Sequence, residues 1–275
     1  MKRIITIQDF SCVGRCSLTA AIPVISAAGV ECCGLPTALL SNHTGFPSSY
    51  IRDLTEEIKP IGEQLKRLGT GFSAIYTGYI ANVGQMEIIK EFIGEFRGGD
   101  TLVFVDPVMG DNGRLYSALT EDYPQKMREL CSIADVITPN ITEACLLLGR
   151  EYGEYDTREM LRELKKLGAA KAVITGVEPK TGEIPMTGAA AYDGERFYEE
   201  YAPKQPIVCC GTGDLFASAL VGAIMRGTGF ETALRAAVSF CAESARLTLL
   251  DPDRREYGVN FEQALPKYME EIGVR

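Results

Sequence analysis

The sequence predicts an α/β fold in which a central, mostly parallel sheet is covered by helices on both faces. Short β-branched and apolar runs alternate with segments of helical length along the chain, as is typical of parallel sheets with two covered faces. Two runs joined by Asp193-Gly194 indicate an antiparallel hairpin toward one edge. Since no repeat, low-complexity tract or composition shift marks a linker, we expect residues 1–275 to form one domain.

Each predicted strand is a short apolar run that ends at a turn or at a polar residue. The first reads Ile-Ile-Thr-Ile and the most apolar reads Thr-Leu-Val-Phe-Val. Runs of this length and composition are typical of buried strands. In chain order, the predicted strands span residues 4–7, 30–35, 74–79, 101–105, 135–138, 171–175, 188–192 and 196–201.

The predicted helices are longer segments, several of which end at glycine. Residues 18–28 are apolar and stop at Gly29, whereas residues 50–68 are amphipathic and stop near Gly69. Glycine just beyond the last turn is a usual end of a helix. The predicted helices span residues 18–28, 50–68, 85–96, 142–148, 157–167, 212–226, 232–248 and 261–271.

Composition excludes several classes of protein. The net charge is −9, whereas nucleic acid and anionic membranes require a basic surface, so we expect neither as a partner. We find no secretory signal and no apolar stretch long enough to span a membrane. Nine cysteines without a CxxC pair, and a single histidine, argue against a disulfide framework or a zinc site. We therefore expect a cytoplasmic protein with reduced thiols.

The Gly211-Thr212-Gly213-Asp214 segment, directly before an apolar helix, is the leading candidate for catalysis. Two glycines allow backbone N–H groups to approach a ligand, and a helix N-terminus favours an anion such as a phosphoryl group. A carboxylate at Asp214 could then take the proton of an attacking hydroxyl. Alternatively, Thr212 caps the helix and Asp214 only complements the helix dipole.

Two further segments place oxygen ligands at predicted strand ends. Asp106 follows the most apolar strand, where an unpaired carboxylate would be costly unless metal or turn amides satisfied it. Asn140 and Glu143 have the spacing of a capping box. They could equally orient Mg²⁺ and its waters, because Mg²⁺ prefers oxygen ligands and retains water. The capping and metal interpretations do not exclude each other.

Residues 41–45, which read Ser-Asn-His-Thr-Gly, are dense in short hydrogen-bonding side chains. His43 is expected to be a structural hydrogen-bonding group, and the chain has no GxSxG elbow of a serine hydrolase. Cys209 and Cys210 precede the glycine turn. Cys210 could be an activated thiol at a helix N-terminus, although a small residue in tight packing is favoured.

Taken together, these segments resemble the pyridoxal/pyridoxamine kinase family of the ribokinase-like superfamily, from about residue 3 to about residue 270. Gly-Thr-Gly-Asp and Asn-x-x-Glu are typical of the superfamily. Ser-Asn-His-Thr-Gly and Asp-Pro-Val-Met-Gly indicate vitamin B6 kinases. The segments that carry the resemblance are Ile7-Gln8 with the Gly14 turn, residues 41–45, Thr77-Gly78-Tyr79, residues 106–110, residues 138–143, residues 173–176 and residues 211–214.

The resemblance implies a ribokinase-like, three-layer α/β/α fold and transfer of phosphate from ATP to the 5′-hydroxyl of pyridoxal, pyridoxamine or pyridoxine. It implies Mg²⁺, allows a monovalent cation, and suggests a homodimer. Asp214 would be the general base, with the amides of Gly211, Thr212 and Gly213 as the anion hole. The implied substrate contacts are Asp9, Ser11, His43, Thr44, Gly45 and Tyr79; the ATP contacts are Asp106, Thr138, Asn140, Glu143 and Thr175; the metal ligands are Asp106 and Glu143.

One departure concerns the first strand, where familiar members of the family read Gln-Ser-His and this chain reads Gln8-Asp9-Phe10-Ser11. Either Asp9 replaces the serine or Ser11 supplies the hydroxyl. With Asp9, the carboxylate and the Thr44 hydroxyl would face the pyridine ring, and a protonated ring nitrogen would form a charge-assisted hydrogen bond.

Three alternative functions stay open. A hydroxymethylpyrimidine kinase of thiamine synthesis shares the superfamily motifs, but the Ser-Gly-Gly turn usual near its front is missing. A sugar kinase is less favoured, because the chain lacks a paired Asn/Asp set near residue 1. A non-catalytic nucleotide sensor is disfavoured by the intact Asp214.

Overall fold

The structure is a computed structural model, and it describes residues 1–153, 155–179, 182, 184–207, 210–255 and 257–274. The first strand begins at Arg3 and contains the first β-branched run of the sequence. The strands are β1 (Arg3–Ser11), β2 (Glu31–Leu40), β3 (Ile51–Asp53), β4 (Ala74–Thr77), β5 (Leu102–Val105), β6 (Gly110–Asp111), β7 (Arg114–Leu115), β8 (Val136–Ile137), β9 (Lys171–Val177), β10 (Met186–Tyr192) and β11 (Phe197–Pro203).

A single nine-stranded sheet forms the middle layer, with the order β11-β10-β9-β8-β5-β4-β1-β2-β3. Neighbouring strands run parallel from β9 to β2. The β10–β11 hairpin is antiparallel at one edge, and β3 pairs antiparallel with β2 at the other. The predicted parallel sheet with an antiparallel hairpin at one edge is confirmed, and the second antiparallel edge was not predicted.

Helices cover both faces of this sheet and complete the three-layer α/β/α arrangement. None of the helices in the described ranges is long and apolar enough to cross a bilayer. In chain order they are α1 (Ser17–Ala27), α2 (Thr55–Arg67), α3 (Val83–Phe96), α4 (Tyr123–Ser132), α5 (Ile141–Leu148), α6 (Thr157–Lys166), α7 (Thr212–Arg226), α8 (Phe230–Leu250) and α9 (Leu265–Glu271), with a 3₁₀ helix at Phe261–Gln263.

Alternate side chains of each central strand enter two separate hydrophobic cores, because successive residues of a strand point to opposite faces. Ile4 and Tyr76 join the core formed with α1, α7, α8 and α9. Ile5 and Ile75 join the core formed with α2 to α6. All four side chains are at most 1% exposed, and burial of one such side chain contributes roughly 1.5–3 kcal/mol. The sheet is therefore fixed from both sides.

Two predictions of secondary structure are wrong, and one helix and one hairpin were missed. Residues 50–53 were predicted as the start of a helix, but residues 51–53 form β3, because they pair with the last residues of β2. Helix α2 begins at Thr55, whose N–H donates to the Asp53 carboxylate at 2.7 Å. Residues 261–263, also predicted as α-helix, form a 3₁₀ turn before α9. Helix α4 and the β6–β7 hairpin were not predicted.

The last residues of the chain brace the helix layer that contains α7. The Arg226 guanidinium donates hydrogen bonds to the backbone carbonyls of Ala28, Ile272 and Gly273, at 3.3, 3.2 and 2.6 Å. From α9, the buried Tyr268 hydroxyl donates to the Ala219 carbonyl of α7 at 2.7 Å. The position of α7 therefore depends on a segment that lies about 50 residues further along the chain.

Candidate active site

The predicted site residues meet where the parallel strands end at one edge of the sheet. This follows from the register, which sets Ile7 beside Thr77 and Thr77 beside Val105. Polar residues that leave these strands must then face one another. At this edge lie Asp9 and Ser11 of β1, Tyr79 after β4, Asp106 after β5, Thr138 and Asn140 after β8, and Thr175 of β9.

Asp214, in the first turn of α7, is held by the start of a second helix. Its Oδ2 accepts a hydrogen bond from the backbone N–H of Ser17, the first residue of α1, at 2.9 Å. The Ser17 hydroxyl donates in turn to Oδ1 of Asp9 at 2.6 Å. Ser17 thus joins the carboxylate expected to act as the base, Asp214, to the carboxylate expected to bind the substrate ring, Asp9. Ser17 itself was missed, because no motif distinguishes it.

The environment of Asp214 suits a group that exchanges a proton near neutral pH. Burial raises the pKa of Asp214 to about 6, the Ser17 N–H opposes this rise, and the Asp9 charge adds to it. A carboxylate with such a pKa is ionised at pH 7 yet basic enough to accept a proton in a transition state.

The turn before α7 leaves an open, uncapped helix N-terminus. Gly211 is the N-cap residue and no side chain caps the helix, so the alternative in which Thr212 provides the cap is wrong. No heavy atom lies within 4 Å of where a Cβ on Gly213 would stand. The first turn of α7 therefore has open space beside Gly213 and N–H groups that no side chain caps, and such helix N-termini can bind phosphate.

Gly211 is required by both conformation and space. Its φ is +79°, and a Cβ at this position would stand 2.3 Å from the carbonyl oxygen of Arg15. We expect Gly211→Ala to displace the turn and to lower kcat/KM by more than about tenfold, since a misplaced group at a reacting centre costs about 10²-fold. Gly213→Ala, which meets nothing within 4 Å, is the matched control. Equal kinetics for the two variants would contradict the importance of the Gly211 geometry.

The two loops beside this turn are fastened to the C-terminal part of the chain. The Arg15 guanidinium donates to Asn260 at 2.6 Å and pairs with Glu262 at 2.8 Å. The Phe46 ring, from the loop after β2, stacks on Tyr257 with 5.3 Å between ring centroids. Both loops that border Asp9 are therefore anchored outside the site.

Asp106, Asn140 and Glu143 form a second group at the ends of β5 and β8. Asp106 Oδ1 accepts from the Thr138 hydroxyl at 3.0 Å. The predicted capping box is confirmed: Asn140 Oδ1 accepts the Glu143 N–H at 2.9 Å, and Glu143 Oε2 accepts the Asn140 N–H at 2.8 Å. Glu143 Oε1 also accepts the Met109 N–H at 3.1 Å. The box fixes the Glu143 carboxylate in place, and the Thr138 hydroxyl holds that of Asp106.

The chemistry of this group fits a divalent cation. Burial, followed by the Asp214 charge, raises the pKa of Asp106 to about 8, and burial and the Asp106 charge raise the pKa of Glu143. Among the ion pairs formed by the described residues, none involves either carboxylate. Two oxygen ligands without a basic partner suit Mg²⁺, which takes its remaining ligands from water and phosphate.

The substrate end of the site is built around Asp9, a carboxylate that is 6% exposed. The Ser11 hydroxyl donates to its Oδ2 at 3.3 Å. Burial raises the pKa of Asp9, its hydrogen bonds oppose the rise, and the nearby His43 also lowers it. Tyr79 lies near Asp9, because burial and the Asp9 charge raise the pKa of its phenol. Among the residues that the structure describes, Asp9 forms no ion pair with Lys or Arg, and its one cationic neighbour is His43.

The loop after β2 reaches this end of the site, as predicted from its residues. His43 is half-buried, and its Nδ1 accepts the Gly45 N–H at 3.0 Å. Thr44 and Gly45 are exposed. A Cβ on Gly45 would stand 4.0 Å from the exposed Cys210 thiol, so this loop and the turn before α7 are neighbours. The prediction about Cys209 falls outside the described residues.

Tyr116, which follows β7, is a second residue that sequence reasoning missed. It is 40% exposed, and its backbone N–H donates to the Met109 carbonyl at 2.9 Å. Burial raises the pKa of its phenol, and four carboxylates add to the effect. The Tyr116 phenol is therefore close enough to these carboxylates to feel their charge. The four carboxylates belong to Glu143, Asp111, Asp214 and Asp106.

The β6–β7 hairpin, which directly precedes Tyr116, could have been predicted from the residues of its turn. Its two-residue loop is Asn112-Gly113, both with positive φ, at +51° and +76°, and Asn-Gly is the strongest short-range signal of a tight hairpin. The Gly113 N–H donates to the Thr142 hydroxyl at 2.9 Å, which ties the hairpin to α5.

Comparison with known proteins gives this arrangement a context. The model of the family described as phosphomethylpyrimidine kinase matches residues 14–259. A pyridoxal kinase from Arabidopsis thaliana is 31% identical over 271 residues, which covers 93% of this chain and 85% of that protein.

Two solved structures are similar over nearly the whole chain. One is a Bacteroides thetaiotaomicron protein, provisionally named a phosphomethylpyrimidine kinase and crystallised with pyridoxal; it is 38% identical, with a TM-score of 0.91, covering 97% of this chain and 95% of that one. The other is a pyridoxal kinase from Lactobacillus plantarum, which is 30% identical with a TM-score of 0.90, covering 98% and 97% respectively.

Proposed function

The chain belongs to the pyridoxal kinase family of ribokinase-like proteins. From this membership we propose that it phosphorylates the 5′-hydroxyl of B6 vitamers with ATP. We also propose that residues 1–275 form one kinase domain. The observation that carries the proposal is the carboxylate of Asp214, held by Ser17 beside the uncapped N-terminus of α7. A base next to an anion site is what transfer of phosphate to an alcohol requires.

Each residue has a definite task in this reaction. Asp214 takes the proton as the hydroxyl oxygen of the vitamer attacks the γ-phosphorus; the new O–P bond forms, the bond to the β-phosphate oxygen breaks, and ADP leaves. The N–H groups of Gly211, Thr212 and Gly213 stabilise the transferring group. Asp106 and Glu143 would hold Mg²⁺, which supplies neutralisation of the phosphate charge. Thr138, Asn140 and Thr175, at the adjoining strand ends, would contact ATP.

The substrate ring would lie between β1 and the loop after β2. Asp9, which is buried and forms no Lys or Arg ion pair within the described part of the chain, suits a protonated pyridine nitrogen. Tyr79 and His43 flank it, and Thr44 and Gly45 close the same side. The list of proposed vitamer contacts is therefore Asp9, Ser11, His43, Thr44, Gly45 and Tyr79.

The proposal is tested by a panel of alcohols with Mg·ATP, following ADP release. Pyridoxal, pyridoxine and pyridoxamine should each stimulate ADP formation, and the product should carry phosphate on the 5′ oxygen. ATP hydrolysis that no alcohol stimulates would overturn the proposed kinase and support a nucleotide sensor.

Hydroxymethylpyrimidine is a second candidate substrate, because the matching family model is described as phosphomethylpyrimidine kinase. The B6 vitamers are favoured because the similar Bacteroides protein was crystallised with pyridoxal. In the same panel, a kcat/KM for hydroxymethylpyrimidine above that for every vitamer would reverse this order. A homodimer, a monovalent cation and a cytoplasmic location stay predictions.

The rate should rise with pH through the pKa of Asp214. Because burial raises that pKa to about 6, Asp214 is protonated and inactive as a base at lower pH, and ionised at higher pH. We expect kcat to increase about tenfold per pH unit below pH 6 and to level off near pH 7, since a general base must be deprotonated. The measurement is kcat at saturating substrates from pH 5 to pH 8. A profile that is flat, or that falls as pH rises, would contradict the assignment.

Replacement of Glu143 should weaken metal use and helix stability together. Glu143→Ala removes a buried carboxylate beside Asp106 and the two hydrogen bonds that it accepts from backbone N–H groups. The Mg²⁺ concentration at half-maximal rate should therefore rise, and Tm should fall. Asn82→Ala, which removes the side-chain cap of another helix, α3, serves as the control for the cap: it should lower Tm and leave the Mg²⁺ titration unchanged. A lower Tm with an unchanged Mg²⁺ titration would leave Glu143 with the capping role alone.

A further inference from the structure

Ser17 connects the two ends of the proposed site through short contacts. Its N–H donates to Asp214 Oδ2 at 2.9 Å, and its hydroxyl donates to Asp9 Oδ1 at 2.6 Å. The residue is buried, with 5% of its surface exposed, so water does not compete freely for either contact. Asp9 would receive the ring of the substrate and Asp214 its reacting hydroxyl. One residue therefore sets the distance and orientation between the two carboxylates.

The backbone of Ser17 is in an unfavourable conformation. Its φ is +46°, and among the described residues other than glycine only Ser17 and Asn112 have a positive φ. Asn112 lies in a tight turn, where asparagine tolerates this conformation. Ser17 lies at the start of a helix and has no such reason. Strained residues of this kind persist where the surroundings impose the conformation, and they concentrate at functional sites.

The helix itself does not require the Ser17 hydroxyl. Thr19 serves the start of α1, because its hydroxyl bonds to the carbonyls of Gly14 and Cys16, at 3.1 and 2.7 Å. The Ser17 hydroxyl makes its hydrogen bond to Asp9 instead. A role limited to shaping the backbone would be filled better by glycine, which adopts positive φ without strain.

We propose, on the basis of the proposed function, that Ser17 is a positioning residue: it holds the Asp9 and Asp214 carboxylates in register, so that an alcohol whose ring is bound by Asp9 presents its hydroxyl to Asp214. The hydroxyl of Ser17 fixes the recognition end, and its N–H fixes the base. Substrate selectivity then depends on the match between this fixed spacing and the distance from ring nitrogen to hydroxyl.

The test uses two variants that differ in backbone strain but both lack the hydroxyl. We expect Ser17→Ala and Ser17→Gly each to raise KM for pyridoxal about tenfold, as for a hydrogen bond to a charged group, with KM for ATP unchanged. Ser17→Gly should have the higher Tm of the two, because glycine relieves the strain. A purely structural role predicts the opposite kinetics, with Ser17→Gly close to the unmodified protein, and that result would overturn the proposal.

A double-variant cycle tests whether Ser17 acts through Asp9. In an Asp9→Ala background, adding Ser17→Ala should raise KM for pyridoxal by less than about twofold, because residues that act as a unit are not additive. A further tenfold rise would overturn the link. Thr19→Ala, which changes the start of α1 without touching either carboxylate, is the control: a lower Tm with unchanged KM values is expected.

The outcomes separate this inference from the function on which it rests. If the unmodified protein phosphorylates no B6 vitamer, the proposed function fails and the role of Ser17 fails with it. If the unmodified protein is active and Ser17→Ala leaves KM for pyridoxal unchanged, only the role of Ser17 is overturned.

Discussion

Replacement of Asp214 by asparagine is expected to lower kcat by roughly 10²–10⁴-fold, the usual cost of losing a general base. Asparagine has almost the same shape and keeps an oxygen that can accept a hydrogen bond from the Ser17 N–H. In the unmodified protein, this nitrogen lies 2.9 Å from Asp214 Oδ2. What it loses is the ability to take a proton. KM for ATP and Tm should therefore stay near those of the unmodified protein, and the rise of kcat through pH 6 should disappear.

Glu231→Gln is the matched control for this substitution. Glu231 is the acidic residue in the first turn of α8, so it shares the helix-dipole environment of Asp214, but it is exposed and lies near Glu200 of the edge strand β11. The control should keep full activity. If Asp214→Asn retained more than about a third of the unmodified kcat, a loss too small for a general base, Asp214 would have to be reassigned to an electrostatic role.

Replacement of Asp9 by alanine is expected to have the second largest effect, on the alcohol rather than on ATP. A hydrogen bond to a charged group contributes roughly 1.5–3 kcal/mol, so KM for pyridoxal should rise about 10–150-fold. The nucleotide groups, Asp106 and Glu143, lie at other strand ends, so KM for ATP should be unchanged. Steady-state kinetics with each substrate varied in turn measures both.

Ser11→Ala is the companion variant, because Ser11 was the other candidate to replace the family serine. The structure gives Ser11 a longer hydrogen bond to Asp9, 3.3 Å compared with 2.6 Å from Ser17, so its effect on KM should be smaller than that of Asp9→Ala. Equal shifts of the two KM values in Asp9→Ala, accompanied by a lower Tm, would reduce Asp9 to a support for its loop. A larger effect from Ser11→Ala would transfer recognition to Ser11.

Much of the central sheet could be predicted, because buried strands depend on composition alone. The apolar run of β5 has no alternative to burial, and Asp106 at its end had to lie at the carboxyl edge of the sheet. The missed helix α4 also had a signal: Tyr123, Met127, Leu130 and Cys131 follow the helical period and are all buried. A proline near its start obscured this pattern, although proline is favoured in the first turn of a helix.

Other features could not be predicted, because they depend on contacts between distant parts of the chain. The three residues of the short strand β3 are all exposed, so pairing with β2 rather than burial decides its conformation. Tyr116 and Ser17 reach the site only after the sheet has brought Asp106, Asp9 and Asp214 to one edge. Local sequence identifies residues that can do chemistry, whereas the residues that orient them emerge from the assembled fold.

The dependence of α7 on the last residues of the chain has a consequence for biosynthesis. Arg226 and Tyr268 fasten α7 to α9 and to the final residues, and Arg15 fastens the first active-site loop to Asn260 and Glu262. During synthesis on a ribosome, residues 260–273 can form these contacts only once they have left the exit tunnel. The strands can associate earlier, as domains fold from the N-terminus during synthesis. We therefore expect the site around α7 to be completed only after this segment has emerged.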